Sequence, residues 1–141
     1  MNRTTSDIHP QVGFNKLIGA QLIDWGVDFA KTKLEINESL LNFHGLLHGG
    51  VYCTFLDFSC GMAGTFTGHG NKRKLCVTLN LSTNFISSVT DGVIYGHAKR
   101  VGGGASIFFT EAKICDEAGK LLATATGTFK YISPKLSVSK R

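Results

Sequence analysis

One segment constrains the fold of this chain more than any other. Val51 to Ala63 reads VYCTFLDFSCGMA, apolar on nearly every side, and its two β-branched residues, Val51 and Thr54, do not prevent a helix. A helix that is greasy all round has to be buried, so the rest of the chain must wrap it. The run is about a dozen residues long and holds Asp57 at its middle, too short for a membrane span of about 20. Gly61, Gly64 and the cluster Gly68-His69-Gly70-Asn71 are expected to end it.

On either side the period changes to that of strands. A short helix is predicted for Gln11 to Leu17, a strand for Ala20 to Trp25, a turn at Trp25-Gly26 and a second strand for Asp28 to Ile36. Asn37 to His48 is irregular. Beyond the helix, Leu75, Val77, Leu79 and Leu81 alternate with Cys76, Thr78, Asn80 and Ser82, predicting one greasy and one polar face. Further strands are expected near Gly92 to Val101, Ala105 to Cys115 and Lys120 to Tyr131. Asp116-Glu117-Ala118-Gly119 joins the last two as a hairpin loop. Two strands, one apolar helix and four strands make an α+β fold, a curved antiparallel sheet wrapped around one long central helix. A single helix cannot cover so long a sheet, and a second copy of the chain could cover the rest.

Length and composition agree with this reading. The chain has 141 residues, 43% hydrophobic and 18% charged, the balance of one globular domain spanning 1–141. Its core is expected at about 13–131, with loose tails at 1–10 and 133–141. The polar start, Met1 to Pro10, lacks the apolar stretch of a secretory signal. Cys53, Cys60, Cys76 and Cys115 form no CxxC pair. A reduced, cytoplasmic protein without disulfides is therefore expected, with no membrane partner. The net charge of +5 is a mild basic excess. Part of it lies in Lys135, Lys140 and Arg141 and part in Lys72-Arg73-Lys74, read as a solvated loop with phosphate contact as the alternative. No nucleic-acid motif accompanies it.

Two features point to chemistry. A carboxylate flanked by Phe55, Leu56 and Phe58 is costly to bury. Asp57 is therefore read as a general base or nucleophile whose apolar walls raise its pKa, against the plainer reading of a structural Asp that caps a loop or pairs with Arg. At the start of the same helix stand His48-Gly49-Gly50. A helix N-terminus offers free N–H groups, and glycines let a ligand come close, so a carbonyl oxygen resting there would be polarised. The plainer reading is a flexible entry loop. Gly49 and Asp57 lie eight residues apart, about 12 Å along one helix, too far to act on one carbon. Antiparallel helices side by side in a two-fold dimer would bring Gly49 of one copy near Asp57 of the other, which predicts a shared active site.

The segment Asn42-Phe43-His44-Gly45-Leu46-Leu47-His48-Gly49-Gly50, followed by Asp57, resembles the hotdog-fold thioesterases. The nearest group is the PaaI-like branch, which includes the 4-hydroxybenzoyl-CoA and medium- and long-chain acyl-CoA thioesterases. The family pattern N-x-x-G-x-x-H-G-G, six residues, Asp is met at every fixed position. The likeness continues through Cys76 to Leu81 and from Gly119 to Phe129, covering about Gly13 to Tyr131. It implies a hydrolase that converts an acyl-CoA to acid and coenzyme A. By the same resemblance Gly49 N–H polarises the carbonyl, Asp57 of the partner chain activates water or attacks, Asn42 and His48 orient carbonyl or water, and Thr78 positions the water. Coenzyme A would lie across Thr78 to Asn84 and the turn Arg100-Val101-Gly102-Gly103-Gly104, near Gly50, Asn80 and Phe85. Many relatives carry a basic residue among those glycines and this chain does not, so the phosphates fall to Arg100, Lys99 or Lys130. The resemblance also implies a homodimer or homotetramer, no metal, and no cofactor apart from the coenzyme A of the substrate.

Rival readings of other residues are bland. His44 and His48 are expected to be hydrogen-bonded loop histidines rather than a metal pair, since Gly45 interrupts any helix there. Cys53, Asp57 and Cys60 fall on one helical face, where the thiols are expected to pack as small hydrophobes. The triple glycine lacks the Lys-Ser/Thr of a phosphate loop and reads as a turn. A non-catalytic acyl-CoA-binding module on the same fold is the alternative from another class. A hotdog dehydratase is disfavoured, because such enzymes carry an Asp-His pair in a different pattern. Tyr52, Phe55, Phe58, Met62 and Phe85 could line the acyl pocket or belong to the core.

Overall fold

The computed structural model describes residues 11–68 and 74–133. The expected tails apart from Ser133, the end of the glycine cluster (His69 to Asn71), and Lys72, Arg73, Lys135, Lys140 and Arg141 lie outside them. A short helix α1 (Gly13–Ile18) leads into β1 (Gln21–Gly26) and β2 (Phe29–Glu35). A 3-10 turn (Glu38–Leu40) and an irregular loop follow, then the long helix α2 (Gly49–Ala63). Four long strands complete the chain: β3 (Leu75–Phe85), β4 (Val93–Gly103), β5 (Ile107–Asp116) and β6 (Leu121–Ile132). They form one six-stranded sheet in the order β1-β2-β4-β5-β6-β3, with every neighbouring pair antiparallel. This is the expected α+β architecture of a sheet curved around one helix.

α2 lies where its composition demands. Phe55, Leu56 and Cys60 are completely buried against Leu34, Ile94, Phe108, Ile114, Leu122 and Phe129 of the sheet. Burying one such side chain stabilises the fold by roughly 1.5–3 kcal/mol. Close approach is made possible at Gly96 of β4, where a Cβ would stand 2.2 Å from Thr32 Oγ1 and 2.7 Å from Ser59 Oγ. Those two hydroxyls are fully buried and bond to each other at 2.7 Å, and Ser59 Oγ also donates to Phe55 O, so neither is left unsatisfied. Three further hydrogen bonds pin the helix ends: Trp25 Nε1 to Met62 O, Tyr131 Oη to Gly64 O and Tyr52 Oη to Ser87 O.

Three local expectations are corrected. The first turn falls at Val27-Asp28 rather than Trp25-Gly26, with Asp28 at φ +64°. Both Gly49 and Gly50 lie inside α2, and Gly61 does not end it; Gly64 does. The alternation of β3 is broken by a bulge between Thr78 and Asn80. Before it, Cys76 and Thr78 pair with Tyr131 and Phe129 and face the helix, whereas Val77 points away, 41% exposed. After it the parity flips. Leu81, Thr83 and Phe85 face inward, and Asn80, Ser82 and Asn84 sit opposite Thr128, Thr126 and Thr124 on the outer face. The expected single greasy face is thus divided between the two sides. The hairpin at Asp116 to Gly119 forms as expected, with Gly119 at φ +87° and Asp116 Oδ1 accepting from the N–H groups of Ala118 and Lys120.

Candidate active site

α2 has one open stripe. Gly50, Cys53, Thr54 and Asp57, spaced i, i+3, i+4, i+7, escape full burial while the opposite side is packed. The expectation of a fully buried Asp57 is therefore corrected for the single chain: its carboxyl is half-buried. Its partner is not an arginine. Thr78 Oγ1 donates to Asp57 Oδ1 at 2.6 Å, within the range of a short, charge-assisted bond. This bond needs the bulge, because only before it does the hydroxyl of Thr78 face the helix. A cavity of about 200 Å³ opens beside the pair, lined by Asp57, Thr78, Asn15, Lys74, Cys76 and Phe129 among others. Sequence reasoning missed Asn15 and Lys74 here. Lys74 carried a signal, as the last residue of the basic run, whereas Asn15 carried none.

The N-terminus of the same helix is the second half of the site. His48 is its cap, with Nδ1 accepting from Gly50 N–H at 2.8 Å. Gly50 N–H is thereby spent within the cap. Because Nδ1 accepts, the proton of the neutral imidazole sits on Nε2, which is left to donate outward. Gly49 N–H has no acceptor among the described residues. Phe85, brought to this end by the flipped parity of β3, lies beside Gly49 and meets the ring of Tyr52 edge-on at 5.8 Å. Asn42 does not aim its carbonyl oxygen at this centre. Oδ1 accepts from His44 N–H and Leu46 N–H, and closes the loop that delivers His48. Removing the cap with His48→Ala should lower stability by about 1 kcal/mol, read as a shift in the denaturant midpoint at unchanged slope.

The remaining expected site residues scatter. Arg100 and the glycines Gly102, Gly103 and Gly104 form the β4–β5 hairpin, beside Tyr131 and the C-terminal end of α2. Gly103 is required there, at φ +133° and with Ile107 O 2.5 Å from where a Cβ would be. This end lies a whole helix away from Gly49, about 22 Å. Asn80 is on the outer face, where its Oδ1 accepts from Ser82 Oγ. Lys130 is exposed and alternates with inward Phe129, so it too points away from α2. Asn80 and Lys130 are thus both removed from a coenzyme A site on the helix side.

The thiols are packing groups. Cys60 is fully buried and Cys76 half-buried, and burial pushes them up to about 11 and about 12, with the Asp57 charge adding to both. Thiolate is the reactive form, so iodoacetamide at pH 7.5 should leave both unmodified in the folded protein and label all four cysteines in urea, as read by peptide mass spectrometry. Among the described residues no group of three or more His, Cys, Asp or Glu converges, and no helix is long and apolar enough to cross a membrane.

Comparison with known proteins agrees with this fold. The family model "Thioesterase superfamily" matches residues 44–123, and the chain belongs to that superfamily. It is 30% identical over 114 residues to "Putative esterase Rv1847" of Mycobacterium tuberculosis, covering 79% of this chain and 81% of that protein. It is 25% identical over 117 residues to the 1,4-dihydroxy-2-naphthoyl-CoA hydrolase of Listeria monocytogenes, covering 83% and 94%. Among solved structures, thioesterase HI1161 of Haemophilus influenzae superposes with a TM-score of 0.81 at 20% identity, covering 94% of this chain and 93% of that one, a likeness of fold. The six-stranded sheet around one helix is the hotdog fold of these neighbours.

Proposed function

We propose that two copies of this chain hydrolyse an acyl- or aryl-CoA thioester to a carboxylic acid and coenzyme A, with Asp57 from one copy and Gly49 N–H from the other at each site. The observation that carries the reading is the Thr78–Asp57 hydrogen bond on the open stripe of α2, together with the unspent N–H of Gly49 at its start. Neither half suffices within one chain, because eight residues of helix separate them. An antiparallel neighbour across the open stripe would bring them together and cover Asp57.

The chemistry follows from the atoms. Gly49 N–H and the helix dipole favour charge on the thioester oxygen. Thr78 holds one oxygen of the Asp57 carboxylate, leaving the other to take a proton from water as that water adds to the carbonyl carbon. The tetrahedral intermediate expels the coenzyme A thiolate, which recovers the proton from Asp57. Direct attack by the carboxylate, giving an anhydride that water then opens, has the same balance. His48 Nε2–H points outward for the carbonyl, and Asn42 acts as a positioning residue through its loop. Coenzyme A enters as part of the substrate, and the protein groups supply the rest. A reducing cytoplasm suits the four free thiols. A thiol-release assay over a panel of acyl- and aryl-CoA esters tests the reading. Turnover of at least one supports hydrolysis; tight binding with no release across the panel favours the non-catalytic module instead.

A further inference from the structure

A concavity larger than the one beside Asp57 lies on the other side of the sheet. On the outer face of the sheet a trench of about 690 Å³ runs across the strands. Its axis is a single cross-strand row. Lys31 of β2 pairs with His97 of β4, which pairs with Lys113 of β5, which pairs with Thr124 of β6 and through it with Asn84 of β3. Two lysines and a histidine thus stand in register on three adjacent strands, a run of positive charge that no member of the row neutralises. Nor do the carboxylates on this face. Glu111 is held by Lys99 at 3.0 Å, and Asp24, across from Lys31 at the sheet edge, accepts from Trp25 N–H and forms no ion pair among the described residues. Lys31 lies over the ring of Tyr95, 5.7 Å from its centre. Ser82, Asn84, Thr124 and Thr126 supply neutral donors along the floor.

We propose that this trench binds a small multivalent anion of the phosphate type, held by Lys31, His97 and Lys113. The site is separate from the Asp57 stripe, since Lys31, His97 and Lys113 point away from α2 and Asp57 points along it. Its electrostatics agree with the geometry: the His97 imidazole titrates below its usual range, first through desolvation and then through the charges of Lys31 and Lys113. An anion between the two lysines reverses the charge effect.

The test uses the intact protein and sodium pyrophosphate, with adenosine 3′,5′-bisphosphate in a second arm to ask whether a nucleotide phosphate is taken as well. Calorimetry should show pyrophosphate binding that weakens at least tenfold in Lys31→Ala/Lys113→Ala and is unchanged in Lys16→Ala, with the His97 resonance moving to a higher pKa on binding. The double variant should fold with a thermal midpoint within a few degrees of the wild type, because both lysines stand on the outer face and neither belongs to the buried core, and should hydrolyse acyl-CoA within about twofold of it. Binding of both anions, or of pyrophosphate alone, supports the site. Absence of pyrophosphate binding, binding equal in wild type and double variant, or loss of thioester hydrolysis in a normally folded double variant overturns it.

Discussion

Asp57→Asn is expected to lower kcat for thioester hydrolysis by roughly a thousandfold, with KM changed little and the thermal midpoint held within a few degrees. The asparagine is isosteric and keeps an oxygen that Thr78 Oγ1 can donate to, so the bulge of β3 and the packing of α2 stay as they are. What is lost is the group that takes the proton from water, or attacks, and such a group accounts for about 10²–10⁴ in rate. The split between kcat and KM distinguishes this from a packing defect, because Asp57 sits on the open stripe of the helix and not among the buried contacts. Turnover near the wild-type rate in the variant would mean that the carboxylate is only a partner for Thr78.

The second large effect is on stability. Phe55→Ala should cost about 3–5 kcal/mol, measured by denaturant unfolding with the slope unchanged. Phe55 is completely buried on the side of α2 away from Asp57, next to Gly96 and the Thr32–Ser59 hydroxyl pair. The truncation leaves a cavity between helix and sheet that Gly96, with no side chain, cannot fill. A loss below about 1 kcal/mol would show that α2 is not the core around which the sheet closes.

Much of this was legible in the residues, and the parts that were not have a common cause. The apolar run around Asp57 announced a buried helix because periodicity and composition act locally. The period-2 segments announced strands for the same reason. The motif from Asn42 to Gly50 marked the start of the helix, but not that His48 caps it, and the hydrogen bonds that Asn42 and His48 make within the loop and helix could not be assigned from spacing alone. The faces of β3 were misread at one point. A bulge at Leu79 leaves no mark in an alternating sequence, yet it alone decides that Thr78 meets Asp57 and that Asn80 does not. Charge alone puts Lys130 and Arg100 in one group, and the sheet separates them because neighbouring strands and alternating residues fix the side on which each emerges. The row Lys31, His97, Lys113 was invisible for the converse reason: its members are far apart in the chain and meet only through strand register.

The central claim is that each active site takes Asp57 from one copy and Gly49 N–H from another. Gly49→Pro removes that N–H at the first helical position, where proline is tolerated, and His48 already has the extended backbone, φ −65° and ψ 136°, that a following proline demands. Each variant, Asp57→Asn or Gly49→Pro, should be inactive as a homodimer. Co-expressed with different tags and purified through both, the hybrid holds one site with both defects and one with neither, and should recover about half the wild-type activity per dimer. A hybrid as inactive as its two parents would contradict a shared site and place both groups in a single chain.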